Sequence, residues 1–440
     1  MKKFTITKSL NKNLEGFEDE EFYQFITKSN VQSEDVTEVV LQIIKDVKEN
    51  GDEALIKYAN KFDKTDFKKA KDLVVSEKEI NDSEAKIDKE VKQALELAYR
   101  RIIKYHKNQL PKDFNYQDNS GVELGNIWRN IEKIGVYVPG GTASYPSSVL
   151  MSAVPAMVAG VRDITVCAPT SAGEINLAVL YACKLCGIKK IYKIGGAGAI
   201  SALTYGTKTI DKVNKIVGPG NSYVATAKKM LFGEVGIDMI AGPTDITIVA
   251  NKSSKANWVA SDALSQLEHG ADSKAFIITD DENLVTEIEK NITELAKDLS
   301  RKEIIAKSLL NSAFFIVKNL EKDSVFLANF IAPEHLEIAT NNARTYLPKI
   351  TNAGAIFLGN YAPESLGDYI AGPSHTLPTS GSAKFSSGLS VYDFMKRISV
   401  ISASKESFKK LAKQTAILAE CEGLDAHKLS VEIRGKNVAS

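Results

Sequence analysis

The chain has 440 residues, 44% of them hydrophobic and 25% charged, and 56 Lys plus Arg against 55 Asp plus Glu leave a formal net charge of +1. That length exceeds what one hydrophobic core usually supports, so two or more domains are expected. The balanced charge excludes a global basic field for nucleic acid or an anionic membrane. Four cysteines are too few for a disulfide framework, the basic start at Met1-Lys2-Lys3 lacks the apolar stretch of a signal peptide, and no apolar run is long enough to span a bilayer. A cytoplasmic location is expected.

After a short N-terminal segment, residues 34–107 read as helical, with Val36–Lys48, Asp52–Phe62 and one long stretch from about Glu77 to His106. Charges cover one face and Leu, Ile, Val and Ala the other. From Ile134 the period changes. Strand 135–138 ends in Pro139-Gly140-Gly141, helix 148–160 and strand 164–168 follow, then helix 174–186 and strand 190–194. Gly195-Gly196 opens helix 197–205, and strand 215–217 leads through Gly218-Pro219-Gly220 into helix 222–231. Strands alternating with helices imply a parallel sheet covered on both faces. A second series runs through strand 246–250, helix 255–269, strand 275–279, helix 282–299 and strands 313–317 and 355–358. The fold class is therefore α/β with two Rossmann-like, incomplete parallel-sheet units, and the early helices are expected to pack on the second. The stretch 360–388, rich in Gly, Pro and Ser, is long for a connector. From Leu389 the tail reads as helical, with 404–421 and 425–433 clearest.

Only five histidines occur, and four sit beside acids or amides: Gln266-Leu267-Glu268-His269, Glu334-His335, His375 seven residues after Asp368, and His427 five after Glu422. Taken singly, each is as readily a hydrogen-bonded structural histidine; together they point to a metal or acid–base enzyme. Gln266 and His269, three apart near a helix end closed by Gly270, share one face. Gln266, His269, Asp368 and His427 would give a zinc ion four N and O ligands. Glu334 and His335 combine a carboxylate and an imidazole suited to repeated proton transfer. Cys183-Lys184-Leu185-Cys186 lacks a second pair and lies on a helix with apolar spacing, so it reads as core. Glycine turns at three strand ends suit close approach to a phosphate at a helix N-terminus. Gly196-Ala197-Gly198-Ala199-Ile200-Ser201 lacks the third glycine of the dinucleotide fingerprint.

From about residue 30 onward the chain resembles the histidinol dehydrogenase family. The resemblance rests on residues 137–141, 145–151, 218–221, 236–244, 264–272, 332–336 and 363–378, in that order. It implies zinc- and NAD-dependent oxidation of L-histidinol to L-histidine in two steps through a retained aldehyde, with two NAD reduced. Gln266, His269, Asp368 and His427 would ligate one zinc per subunit, Glu334 would activate the water that adds to the aldehyde, and His335 would be the general base. Thr244, Gln266, His269, His335, Asp368, His375, Glu422 and His427 would contact substrate. Tyr137 and Asn221 would hold NAD, with position 198 as a further cofactor contact. Zinc is redox-inactive, so the hydride goes to a cofactor, and the metal serves orientation more than Lewis acidity. The implied division is 1–30, 31–134 with 245–376, an inserted NAD-binding 135–244, and a helical dimerisation segment 377–440. In the implied homodimer His427 and Glu422 act on the partner's site.

Two positions depart from the family. Gly198 stands where Gln is usual, which removes a side-chain contact to NAD, and Asp245 stands where Glu is common. The rival readings are a related zinc and NAD dehydrogenase of another small hydroxyl compound, a zinc hydrolase with Glu334 activating water, and an inactive binding protein. Glu422, His427 and His375, the set that handles an imidazole, argue against the first; the glycine turns of 135–235 argue against the second; the complete catalytic set argues against the third.

Overall fold

The computed structural model describes residues 1–6, 10, 21–27, 35–140, 145–170 and 172–439; Gly141 of the first glycine turn lies outside them. Two parallel sheets organise the chain. One is five-stranded, in the order Lys190–Tyr192, Asp163–Cys167, Lys133–Tyr137, Lys215–Val217, Gly236–Ile237. Counted along the chain that is 3-2-1-4-5, the order of a doubly wound nucleotide-binding sheet. Ile134, Val136, Val166 and Ile216 are fully buried because helices cover both faces, which is why these strands are continuous apolar runs. The other sheet is six-stranded, in the order Lys2–Ile6, Ala313–Val317, Lys274–Thr279, Asp245–Ala250, His335–Ala339, Ala355–Leu358.

The early helices pack elsewhere than expected. Val40, Ile43, Ile44 and Val47 of Thr37–Asn50 and Leu55 of Asp52–Phe62 join Ile200, Leu203 and Val224 in a core of the five-stranded sheet. Leu95, Ala98 and Ile102 pack with Leu150 and Tyr181 on its other side. The reason lies in helix Gly196–Tyr205, buried from Ala197 to Thr204: a helix apolar all round needs cover on its outer face, and the stripes of the early helices supply it. The expected single helix from 77 to 106 is two, Glu77–Lys86 and Lys89–Lys107, because Asp88 accepts from Glu90 N–H and Val91 N–H and starts a new helix.

Two further elements differ from the sequence reading. The N-terminal segment contributes strand Lys2–Ile6, parallel to Ala313–Val317 at the sheet edge. The tail after Leu389 is not helical at first: Met395–Ser402 is a strand, antiparallel to Glu123–Asn130, which also pairs with Phe114–Gln117. Residues Ile398 to Ile401 are β-branched or small, suited to a pleated surface, and the helix starts only at Lys405 behind its cap Ser404. Cys183 and Cys186 are buried in the core and unbridged, as read from their spacing, and burial pushes the Cys183 thiol up to about 12.

The chain leaves strand Gly236–Ile237 and enters Asp245–Ala250 after the run 238–244. Such a run spans at most about 25 Å, so the carboxyl edge of one sheet lies close to the amino edge of the other.

Candidate active site

At the carboxyl edge of the five-stranded sheet is a cavity of about 1000 Å³, lined by Tyr137, Gly195, Gly196, Gly198 and Asn221 and walled by residues of the early helices. Gly196 N–H donates to the Tyr137 hydroxyl at 3.1 Å. Asn221 caps helix Ser222–Leu231, its Oδ1 accepting from Val224 N–H. Gly218, at φ +115°, could not be another residue, since a Cβ there would lie 2.1 Å from the Tyr137 carbonyl oxygen. A buried Lys228–Asp238 ion pair grips the same glycine at both ends: Lys228 Nζ donates to Gly218 O at 3.0 Å and Asp238 accepts from Gly218 N–H at 2.8 Å. The three positions expected to face a cofactor thus share one cavity.

The second cluster gathers at the amino edge of the six-stranded sheet. Helix Leu320–Ile331 stops at Ala332, in the left-handed region at φ +53°, and Pro333 cannot continue it. Glu334 therefore stands at the mouth of strand His335–Ala339, beside Thr244 and Asp245 at the mouth of the neighbouring strand. The Gln266 amide N–H donates to the Thr244 hydroxyl, and that hydroxyl donates to Glu334 Oε2. Gln266, 1% exposed, is left with an Oε1 that has no partner. Asp368, on Glu364–Tyr369, places Oδ1 3.6 Å from His335 Nε2. His269, Glu364 and Asp368 each offer a ligand atom, all within 4.8 Å of one another. His375 Nδ1 is 3.0 Å from the Asp368 carbonyl and its Nε2 is 3.5 Å from Ser148 Oγ, tying it to both units.

Electrostatics sharpen the picture. Burial pushes Glu334 up to about 8 against the pull of His335 and Thr244. Burial opposes a charge on His335, but Glu334 and Asp368 outweigh it and raise the imidazole to about 10. Asp368, though burial works the other way, is held below the usual range by His335 and the two further imidazoles. Burial raises Glu364 to about 7, with Asp368 adding to it. Excess carboxylate around an unpaired amide oxygen and imidazole nitrogens fits a divalent cation that takes N and O ligands.

Sequence reasoning missed Glu364. It lies four residues before Asp368 on one short helix, a spacing that puts both carboxyls on one face, and Ser265 Oγ holds it at 2.8 Å. Two expected members are not brought in. Glu422 and His427 are exposed on the C-terminal helical pair, and neither side chain bonds to the cluster within this chain.

Glycine turns around a dinucleotide-sized cavity on one sheet, and a buried carboxylate–imidazole pair on the other, define an NAD-dependent α/β oxidoreductase. The chain matches the histidinol dehydrogenase family over residues 26–435. It is 48% identical over 416 residues to the histidinol dehydrogenase of Agrobacterium fabrum, covering 94% of this chain and 96% of that one. Against that of Hydrogenovibrio crunogenus it is 42% identical over 430 residues, 98% and 99% of the two chains. The crystal structure of histidinol dehydrogenase from Elizabethkingia anophelis superposes with a TM-score of 0.93 at 38% identity, covering 100% of this chain and 99% of that one. The chain belongs to the histidinol dehydrogenase family.

Proposed function

We propose that the two clusters carry out the four-electron oxidation of L-histidinol to L-histidine, through L-histidinaldehyde held in place, with water as the source of the second oxygen. The observation that carries this reading is the chain of hydrogen bonds Gln266–Thr244–Glu334, which leaves the buried Gln266 Oε1 without a partner, together with ligand atoms of His269, Glu364 and Asp368 within 4.8 Å of one another. Gln266, His269 and Asp368 would hold a zinc ion, with His427 of a second copy as the fourth ligand; the metal supplies a fixed positive centre for the substrate's imidazole and amine. NAD, held by Tyr137, Asn221 and the turn before Gly198, supplies the hydride acceptor for each half-reaction.

His335 takes the alcohol proton in the first half and the proton of the hydrated aldehyde in the second. Asp368 at 3.6 Å holds the protonated imidazole between these transfers. A divalent cation held by Asp368 would offset part of the negative charge that raises His335, while Glu334, the larger cause, remains. Glu334, nearly buried, removes a proton from the water that adds to the aldehyde carbon, and its raised pKa makes it a stronger base than an ordinary carboxylate. His375 and Thr244 line the substrate side.

A homodimer completes the site in this reading. The three-stranded sheet and the C-terminal helices expose Phe114, Tyr116, Ile401, Leu418 and Leu429, each more than half exposed, and such a patch marks an interface. His427 and Glu422 lie on these helices and would reach the partner's cluster. Unbridged cysteines fit a reducing cytoplasm, and no helix among the described residues is long and apolar enough to cross a membrane.

The test is NADH formed from a limiting, known amount of L-histidinol, with and without a strong chelator. Two NADH per histidinol, lost on chelation and restored by zinc, is the expected result. One NADH would remove the role of Glu334, and none would remove the substrate.

A further inference from the structure

The cavity on the five-stranded sheet has a wall that the glycine turns do not supply. Helix Asp52–Phe62 ends at Asp63, whose N–H closes the last turn on the Ala59 carbonyl. Lys64 follows in the left-handed region at φ +53°, a conformation that a residue with a Cβ adopts only where the surroundings enforce it. This turn sets Asp63 into the lining with Tyr58 and Phe62. Asp63 and Thr170 line the same stretch of the cavity, and burial raises the Asp63 carboxyl to about 6 against the pull of the nearby Thr170 backbone N–H, so it is mostly ionised at neutral pH. It also lies close enough to Tyr137 for its charge to raise that phenol. The hydroxyl oxygen of Thr170, in the same lining, is buried without a partner.

The place of Thr170 in the topology gives this proximity its meaning. In a sheet of order 3-2-1-4-5 the adenosine half of a dinucleotide lies over the first three strands. An acidic residue near the end of the second strand then takes the ribose hydroxyls. Here the second strand, Asp163–Cys167, runs out into Ala168-Pro169-Thr170, which carries no carboxylate. Asp63, from a helix outside the sheet, lines the cavity beside that strand end. None of Glu334, His335 and Asp368 lines the cavity, so the half it receives is the one remote from the reacting carbon. Lys64 and Glu174, the other charged lining residues, are exposed and solvated.

We propose that Asp63 is the specificity-determining residue for the cofactor: its carboxylate accepts the adenosine ribose hydroxyls and repels a 2′-phosphate, selecting NAD over NADP. The proposal rests on the reading of this cavity as the cofactor site. It assigns to a helix outside the doubly wound sheet the task that the second strand of such a sheet ordinarily performs.

The experiment compares kcat/KM for NAD and NADP, at saturating L-histidinol, in the unmodified enzyme and in Asp63→Asn, Asp63→Ser and Glu174→Gln. The unmodified enzyme is expected to prefer NAD. Both Asp63 variants should raise the KM for NAD with little change in kcat and move the NADP/NAD ratio by at least about ten-fold, as removal of a like-charge clash requires. Glu174→Gln should leave the ratio unchanged. An unaltered ratio in a folded Asp63 variant, or an equal shift in Glu174→Gln, overturns the proposal. Should the Asp63 variants fail to fold, NAD lacking the adenosine 2′-hydroxyl is tested on the unmodified enzyme, where an unchanged KM overturns it equally. Gly198→Trp, which fills the cavity, separates the two readings. An unchanged KM for NAD there would remove the cavity from cofactor binding altogether. A raised KM with an unshifted ratio in the Asp63 variants would remove Asp63 alone.

Discussion

Replacing Thr244 by valine keeps the shape of the side chain and removes one hydroxyl. That hydroxyl accepts from the Gln266 amide and donates to Glu334. Gln266 is 1% exposed and Glu334 7%, so both lose a partner where water does not readily replace it. An unsatisfied buried polar group costs about 1–3 kcal/mol, which puts the expected destabilisation of the metal-free protein at about 2–4 kcal/mol. The effect on the site is separate. With its nitrogen unpaired, the Gln266 amide is no longer fixed in orientation, and loss of such a supporting contact to a ligand typically weakens metal binding about 10–100-fold. Glu334 loses a hydrogen bond that lowers its pKa, so a larger fraction is protonated at neutral pH and the hydration of the aldehyde slows. The assay is zinc retained against a graded series of chelators, together with the rate of NADH formation from supplied L-histidinaldehyde. Thr244→Ser, which restores the hydroxyl, should recover most of both. Wild-type zinc retention and aldehyde oxidation in Thr244→Val would refute the idea that this hydrogen-bond chain orients the ligand and the base.

Gly198 sits in a helix with an unstrained backbone, and a Cβ there would meet only Leu55 Cδ2 at an ordinary 3.6 Å. Gly198→Gln should therefore lower the KM for NAD several-fold and add about 0.5–1 kcal/mol of stability, checked by steady-state kinetics and thermal melts. In the metal-free protein Glu334, raised from 4.5 to about 8, and His335, raised from 6.5 to about 10, both bind protons more tightly folded than unfolded. Stability should then fall as pH rises through the window from about 4.5 to 10, and Glu334→Gln should flatten its lower half, read from urea melts at a series of pH values. Mixing a His427→Ala chain with a Gln266→Ala chain should restore part of the lost activity, because one of the two sites in a mixed dimer is then intact; no recovery in a confirmed mixed dimer would place His427 in its own chain's site.

Much of the site was legible because its residues carry chemistry in short, dense motifs. Gln266 and His269 share a helix face, Glu334 and His335 are adjacent, and the glycine turns fall at strand ends whose apolar runs announce a buried parallel sheet. What escaped depends on contacts between distant segments. Nothing in Val40, Ile43, Ile44 and Val47 says which sheet their stripe will cover, because an apolar stripe fits any apolar partner; the buried helix Gly196–Tyr205 decides it. Glu364 was masked by a loop-like composition, although its spacing from Asp368 was a usable signal. Met395–Ser402 was hidden for the opposite reason: its side chains are mostly exposed, so no core pattern marks it, and its partner strand lies far back in the sequence.

The edge strand Lys2–Ile6 sets an order of events during synthesis. Lys2 pairs with Ala313, a contact separated by roughly three hundred residues, and closing so long a loop is slow compared with local pairing. The helices after residue 37 and the five-stranded sheet have most of their core by about residue 237, and Leu389, Val391 and Phe394 join it later. The ribosome therefore releases most of the five-stranded half while Lys2–Ile6 still has no strand to join. During that interval Phe4, Ile6 and Phe22, which end in the core beside Phe315, are a greasy tail in search of cover, and a chaperone would find its grip there.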